Sequence, residues 1–231
     1  MTDPKHEVIF HGLDPQAEVE ITNRNLPHWF QIDATIFVTF RTADSIPREV
    51  RLRWQRELED WLVIRKLPIE LATSTVNQRL PNHDSLIKTL SAREQSEFRK
   101  GSDRIFHRSL DDCHGACPFK NPDLARIVGD AIRHGNEDRY DLDSFVVMPN
   151  HVHALVQFRQ EGGLEIISQS WMRYSSRLIN KAIGRSGPLW QPEPFDHIVR
   201  SVDQFTYLRK YIANNPKKAK LPEGEYLFWQ R

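Results

Sequence analysis

Two short apolar stretches joined by a proline and an asparagine are the feature that most restricts the fold of this chain. Residues 140–148 (YDLDSFVVM) and 151–158 (HVHALVQF) combine β-branched and aromatic residues, which favour strands. Pro149 and Asn150 lie between them and are typical turn residues. We therefore predict two consecutive strands that pair in one sheet, around which the other elements must be arranged.

The elements on either side of this strand pair alternate between strand and helix. Setting aside a polar segment, the order is strand, helix, strand, strand, helix, strand, which is the ferredoxin-like β-α-β-β-α-β motif. We predict an α+β fold: a ferredoxin-like antiparallel sheet with helices on one face, and a C-terminal helix that Pro216 ends. The predicted strands are 34–40, 140–148, 151–158 and 194–200, and the predicted helices are 47–67, 121–135, 164–183 and one from 201.

The polar segment, residues 68–109, interrupts this order. Within it, the capping box Ser91–Glu94 predicts one short helix over 91–100. We expect an insertion in the core fold. The weakly patterned residues 1–23 are predicted to form an N-terminal arm, residues 24–221 the main domain and residues 222–231 a C-terminal tail.

Composition excludes several classes of protein. The chain has 231 residues, of which 39% are hydrophobic and 27% charged, as expected for a globular domain. No apolar run approaches the roughly 18 to 20 residues that span a bilayer, and the first residues lack the pattern of a secretion signal. We predict a soluble cytoplasmic protein that does not bind a membrane.

The two cysteines, Cys113 and Cys117, are too few for the disulfide framework of a secreted domain. With His114 they suggest zinc, but the chain has no second cysteine pair to complete four ligands. We expect reduced, structural cysteines.

Positive charge is concentrated towards the C-terminus. The net charge is +1, yet residues 171–220 hold ten lysines and arginines against three acids. A ridge of four cations at intervals of four residues suits contact with a phosphate backbone, and the interleaved aromatic residues suit stacking on single-stranded nucleic acid. A solvated helix face is the alternative, and we expect at least one of the aromatic residues to be core. The cations are Arg173, Arg177, Lys181 and Arg185, and the aromatic residues are Trp171, Tyr174 and Trp190.

The pair His151 and His153 is the first candidate for chemistry. Residues two apart in a strand project from the same face, so both imidazoles could reach one metal ion while Val152 points into the core. Two hydrogen-bonded histidines without a metal remain the alternative.

The second candidate is Tyr211, followed one helical turn later by Asn215. A phenol, with a pKa of about 10, can act as a nucleophile when a metal and a cationic field favour the phenolate. A packing role for Tyr211 stays open, and Tyr207 competes with it on the same helix face. Because Asn215 precedes Pro216, its backbone is expected to depart from helical geometry.

Three ordered motifs give a family resemblance. The motifs are VVMPNHVHALV (146–156), LWQPEPFDHIVR (189–200) and YIANNPKKAKL (211–221), and together they resemble the single-tyrosine HUH transposases of insertion sequences. The REP-associated tyrosine transposases are the most similar group, and RNLPHWFQIDATIFVTFR (24–41) is similar to their start. The resemblance covers residues 24–221 apart from the insertion.

This resemblance implies a mechanism and a set of roles. His151 and His153 would bind a divalent metal, Mg²⁺ or Mn²⁺, with Asn215 completing the ligands, and Tyr211 would be the nucleophile. The enzyme would cleave and rejoin single-stranded or hairpin DNA through a 5′-phosphotyrosine during DNA transposition. Lys217 and Lys220 replace an apolar residue and a glycine of the family pattern. The residues predicted to contact DNA are Arg173, Arg177, Lys181, Arg185, Trp190, Arg200 and Lys210.

Two rival interpretations stay open. One is a catalytically inactive, domesticated protein that binds hairpin or single-stranded DNA. The other is a metal-dependent phosphodiesterase of small nucleotides, which usually needs a second His-x-Ser/Thr or His-x-His element that this sequence lacks. The transposase is expected in the cytoplasm, associated with the nucleoid, as a monomer or a homodimer.

Overall fold

The computed structural model describes residues 10–23, 27–67 and 84–231. Contacts divide the chain into two compact units, one comprising residues 46–115 and the other the remainder. The larger unit contains β1 (Glu20–Asn23), β2 (Pro27–Phe30), β3 (Thr35–Arg41), a 3-10 turn (Pro118–Lys120), α4 (Pro122–Arg133), β4 (Tyr140–Val147), β5 (His151–Phe158), α5 (Gly163–Ala182), β6 (Phe195–Ile198), α6 (Val202–Lys218) and β7 (Leu227–Gln230). The smaller unit contains α1 (Arg48–Ile64), α2 (Asp84–Lys88) and α3 (Ala92–Asp111).

The larger unit is built on a five-stranded antiparallel sheet in the order β6-β3-β5-β4-β7. The first four strands have the ferredoxin-like arrangement, and β7 extends the sheet beside β4. The predicted α+β fold is therefore confirmed. Strand β5 matches its prediction at both ends because its β-branched and aromatic residues are buried on both faces of the sheet.

The two faces of the sheet carry different helices. Val38, Val152 and Ala154 belong to the cluster that contains the buried residues of α4 and α5. Phe37 and Leu155 belong to a second cluster with the buried face of α6. Because side chains alternate along a strand, each strand serves both clusters. The α4 and α5 pair thus covers one face, as predicted, and the C-terminal helix α6 covers the other.

Helix α6 is fixed to the sheet by an ion pair at an irregularity in β4. The register between β4 and β5 shifts between Leu142 and Ser144, which makes Asp143 the extra residue of a bulge. The buried Asp143 carboxylate lies 3.2 Å from Nε of Arg209 on α6. Burial raises the pKa of Asp143, although the nearby Arg209 favours its charged form. Removing either partner would leave the other charge poorly compensated.

The smaller unit contains an antiparallel pair of helices. The rings of Trp54 and Phe106 lie 5.9 Å apart, and those of Trp61 and Phe98 lie 5.3 Å apart. The predicted capping box at Ser91 is present, but α3 continues to Asp111 rather than ending at residue 100. The aromatic contacts with α1 explain the extra length of α3. Packing against another helix stabilises helical turns that the polar sequence alone does not predict. Residues 68–83 of the predicted insertion lie outside the described residues.

Three further elements differ from the sequence predictions. The β1–β2 hairpin and the edge strand β7 were not predicted, since each strand has only four residues. Pro216 does not end α6, which continues to Lys218. A proline this close to a helix end removes one backbone donor without stopping the last turn, and Ala219 N–H still donates to the Asn215 carbonyl at 3.0 Å. The division of the chain at residues 23 and 221 stays a prediction. In the described part of the chain, no helix is long and apolar enough to cross a bilayer.

Candidate active site

The two histidines of β5 project from the face of the sheet that α6 covers. His151 and His153 are fully buried, and their ring centroids lie 4.7 Å apart. Val152 between them packs in the core on the opposite face. The period of two along a strand therefore gives the arrangement that the sequence predicted.

Neighbouring polar groups fix the orientation of both imidazoles. Nδ1 of His151 lies 2.8 Å from Oδ1 of Asn150, and because an amide oxygen only accepts, Nδ1 carries the proton. Nδ1 of His153 lies 2.8 Å from Oγ1 of Thr39, its partner in the register of β3 and β5. Such contacts leave Nε2 of each ring as the nitrogen for a ligand, as in most histidine metal sites.

Helix α6 brings Tyr211 to the same place. Its hydroxyl lies 3.5 Å from Nε2 of His153, at the outer limit of a hydrogen bond. The Tyr211 ring meets the His153 ring edge-on, and the Phe37 ring is stacked on His153 at 5.3 Å. Nζ of Lys218 lies 5.7 Å from the centre of the Tyr211 ring. The half-buried Tyr211 is thus held between aromatic packing and a cation.

Asn215 lies one turn after Tyr211 and is fully buried. Neither its Oδ1 nor its Nδ2 has a hydrogen-bond partner among the described residues. A buried amide without partners costs free energy, so it indicates a ligand that the polypeptide itself does not supply. Its backbone is helical, which corrects the prediction that Pro216 would distort it.

These donors fit a divalent cation. Two imidazole nitrogens and one amide oxygen suit Mn²⁺, and the oxygen also suits Mg²⁺. Among the described residues, no group of three or more His, Cys, Asp or Glu is placed to hold a metal. The two histidines and Asn215 supply the donor types that such an ion would need.

Cys117 gives little support to the zinc alternative. Its side chain is buried, and burial raises the pKa of the thiol above its ordinary value. Zinc is bound by the thiolate, which a raised pKa disfavours.

Three cations of the predicted basic ridge, Arg173, Arg177 and Lys181, lie on α5, on the other side of the sheet from Tyr211. Arg185 follows the end of this helix, so it does not continue the ridge at helical spacing. All four side chains are exposed. The guanidinium of Arg177 lies 5.8 Å from the ring centre of Tyr174, which is 45% exposed. The ridge and the histidine pair are therefore not one site, and a DNA molecule that contacts both must pass around the sheet.

Trp190 requires a correction. Its side chain is 5% exposed, its ring packs against Phe40 and Phe119, and its Nε1–H donates to Oγ of Ser175. A ring held in the core cannot stack on a base, so the prediction that Trp190 contacts DNA is wrong. Trp171 is buried in the same way. Packing of α5 against the sheet decided the role of these rings, and the sequence spacing did not reveal it.

Arg200 and Lys210, the other two residues predicted to contact DNA, are exposed. Lys210 lies on α6 and precedes Tyr211, and Arg200 lies two residues before α6 begins.

The sequence did not single out several residues of this site. Thr39 is identified only by strand register, and Asn150 was interpreted as a turn residue. Phe37 packs between His153 and His197, with both ring-centroid distances 5.3 Å. Burial lowers the pKa of His197 to about 4, and the nearby Arg200 acts in the same direction. His197 is therefore a neutral ring at neutral pH.

The segment of this chain that matches a known protein family contains both the histidine pair and Tyr211. Residues 123–215 match the family described as Transposase IS200 like. An uncharacterized protein of Haemophilus influenzae is 26% identical over an alignment of 96 residues, covering 32% of this chain and 53% of that protein. The chain thus spans about half the length of this curated relative.

A solved structure is also similar in part. It is described as a REP-associated tyrosine transposase bound to a REP hairpin, and the match covers 83% of this chain and 71% of that one, with 14% identity and a TM-score of 0.38. The family match confirms the resemblance to the single-tyrosine transposases of insertion sequences, in that residues 123–215 are similar to the IS200-like transposases.

Proposed function

We propose that this protein is a transposase that cleaves and rejoins single-stranded DNA, with Tyr211 as the nucleophile. One observation carries the proposal: the Tyr211 hydroxyl lies 3.5 Å from Nε2 of His153, on the sheet face that presents both histidines. Metal-assisted phosphoryl transfer to a phenol requires a tyrosine beside metal ligands, and here Tyr211 lies beside two buried imidazoles whose Nδ1 atoms contact neighbouring polar groups.

His151, His153 and Asn215 would hold the divalent ion. When bound, Mg²⁺ or Mn²⁺ would polarise the scissile phosphate and stabilise the charge that develops there. The Asn215 amide supports this assignment because it is buried and has no hydrogen-bond partner among the described residues. An oxygen that binds a metal ion would be left without a partner when the ion is absent.

The chain's own residues would then carry out the transfer. The Tyr211 oxygen attacks phosphorus, the bond from phosphorus to the 3′ oxygen breaks, the phenol proton passes to solvent and the 3′ oxygen gains a proton. The product is a 5′-phosphotyrosine and a free 3′ hydroxyl. Attack by a 3′ hydroxyl of another strand reverses the step, so no nucleotide cofactor is needed. Asn150 keeps the His151 ring in the required tautomer, and Thr39 holds the orientation of the His153 ring.

The substrate is proposed to be single-stranded DNA with hairpins. The exposed cations of α5 support contact with a hairpin backbone, since they form a basic surface separate from Tyr211. We propose the division of the chain that the sequence suggested: an arm over 1–23, a transposase domain over 24–221 with an insertion over about 68–109, and a tail over 222–231, which adds strand β7 to the sheet of that domain. A cytoplasmic monomer or homodimer associated with the nucleoid would suit this activity.

The proposal is tested with labelled hairpin DNA from the flanks of the protein's own gene, incubated with Mn²⁺ or Mg²⁺ and analysed on a denaturing gel. We expect a protein-linked band that disappears with Tyr211→Phe and with His151→Ala. Tyr207→Phe is the matched control, since it removes a hydroxyl from the same helix face one turn away. DNA binding without a covalent band from any flank would favour the inactive DNA-binding protein instead.

A further inference from the structure

Tyr207 presents an exposed aromatic ring beside the nucleophile. It lies one turn before Tyr211 on α6 and is 66% exposed. The two ring centroids are 6.4 Å apart, and the ring planes differ by 21°. The Tyr207 hydroxyl makes no hydrogen bond with any residue that the structure describes. The flat outer face of the ring is therefore open to a ligand.

The surface around Tyr207 favours a polyanion. Residues 207, 210, 211, 214 and 218 follow a spacing of three and four, so they form one stripe along α6. The stripe includes Lys210 and Lys218, whereas the only acid within α6 is Asp203. Lys210 makes no ion pair with a described residue, which leaves its ammonium group for a phosphate.

We propose that Tyr207 is a stacking platform for an unpaired nucleobase next to the phosphate that Tyr211 attacks. This inference rests on the proposed function. Aromatic rings interleaved with cations are how proteins hold single-stranded nucleic acid, because every base has a face that can stack. A base on the outer face of Tyr207 lies about one stacking distance, about 3.4 Å, beyond a ring that is itself 6.4 Å from the Tyr211 ring. The base therefore lies within a few nucleotides of the scissile phosphate.

Stacking of this base would position the strand, since it limits how the adjacent phosphate can approach the Tyr211 oxygen. The ring face is required for this role and the hydroxyl is not. This separates a stacking residue from a second nucleophile, for which the hydroxyl would be essential.

The test compares Tyr207→Phe, Tyr207→Leu and the control Thr206→Ala, which changes an exposed neighbour outside the stripe. Affinity is measured in a Tyr211→Phe background, so that it does not depend on cleavage. The probe is hairpin DNA from the gene flanks with single-stranded extensions, in which each extension nucleotide is replaced in turn by an abasic one. The rate of covalent adduct formation is measured separately with Tyr211 intact.

We expect Tyr207→Leu to weaken binding about tenfold, because one base–aromatic stack contributes on this order. Tyr207→Phe and Thr206→Ala should bind within about twofold of the parent. At one position of the extension, an abasic nucleotide should weaken binding by the parent protein about as much as Tyr207→Leu does. The same abasic probe should bind Tyr207→Leu no more weakly than the intact probe does, and this position identifies the stacked base.

Equal binding by Tyr207→Leu and the parent would overturn the proposal, as would equal losses in the Phe and Leu variants or additive losses at every abasic position. A change of oligomeric state in Tyr207→Leu, measured by light scattering, would instead assign the ring to a contact between copies of this chain. If unsubstituted protein forms no adduct but the abasic experiment gives the expected pattern, the proposed function fails and the stacking site stands.

Discussion

The hydroxyl of Tyr211 lies 3.5 Å from Nε2 of His153, although 58 positions separate the two residues in the sequence. The contact is made because β5 presents His153 towards α6 and because Phe205, Leu208 and Ile212 pack the helix on that face of the sheet. The position of Tyr211 is thus a consequence of the same apolar stripe that stabilises the fold.

Tyr211→Phe should abolish the covalent DNA adduct while leaving stability almost unchanged. The hydroxyl is at the limit of hydrogen-bond distance from His153, and the half-buried ring is retained. We expect the free energy of unfolding to change by less than about 1 kcal/mol. Urea denaturation measures this change, and a loss of several kcal/mol would show that the hydroxyl has a structural role instead.

Asn215→Leu should separate metal binding from folding. The Asn215 amide is buried and has no hydrogen-bond partner among the described residues, so an apolar side chain of similar size should leave unfolding without metal unchanged or make it harder by about 1–3 kcal/mol. The increase in melting temperature on adding Mn²⁺ should be lost. Asn214→Leu is the control, because Asn214 is exposed and adjacent. A metal-induced shift that survives in Asn215→Leu would remove Asn215 from the ligand set.

Much of this arrangement could be predicted from the sequence, because it depends on local pattern. The period of two places His151 and His153 on one face, and the apolar residues of β5 mark a central strand without knowledge of its partners. Non-local packing decided the remainder. Trp190 could lie on a surface or in a core according to its sequence, and only the contact with Phe40 and Phe119 puts it in the core.

Pro216 illustrates a second limit. A proline in a helix removes one backbone hydrogen bond, so its position predicts the end of the helix. Pro216 is buried where α6 packs on the sheet, and the helix continues to Lys218. Thr39 shows a third limit, since only the register of β3 against β5 reveals its contact with His153. Residues that orient a ligand from a neighbouring strand leave no spacing signal of their own.

Thr39→Val should lower metal affinity without removing the metal site. Valine keeps the shape of threonine but cannot hold Nδ1 of His153, and removal of such a partner typically costs 10–100-fold in affinity, as an order of magnitude. Mn²⁺ titration followed by adduct formation measures the change, and saturating Mn²⁺ should restore most of the rate. Thr35→Val is the control, because Thr35 lies on the same strand and its buried Oγ1 has no partner among the described residues. An equal effect of both substitutions would indicate general damage to β3.

His197 should make stability depend on pH. Burial lowers its pKa from an ordinary 6.5 to about 4, so between these values the unfolded chain binds a proton that the folded chain does not. The free energy of unfolding has its full value above about pH 6.5. It falls by at most about 3 kcal/mol as the pH is lowered towards 4. His197→Gln should flatten this part of the stability profile, measured by denaturant unfolding at several pH values. The exposed His134→Gln is the control, and the idea fails if both variants keep the slope of the parent protein.

The basic ridge on α5 should bind DNA independently of the chemistry at Tyr211, because the two lie on opposite sides of the sheet. Arg173→Gln combined with Arg177→Gln should weaken hairpin binding and reduce the slope of log affinity against log salt by about one for each phosphate that is no longer neutralised. The rate at which a short unstructured oligonucleotide forms an adduct should stay within about twofold of the parent protein, since its phosphate does not need to reach α5. Arg126→Gln is the matched control: it removes an exposed arginine from α4, on the same side of the sheet, where Arg126 already pairs with Asp123 at 2.7 Å. If the control changes the salt slope as much as the double substitution does, the attraction is a property of the whole surface and α5 has no specific role.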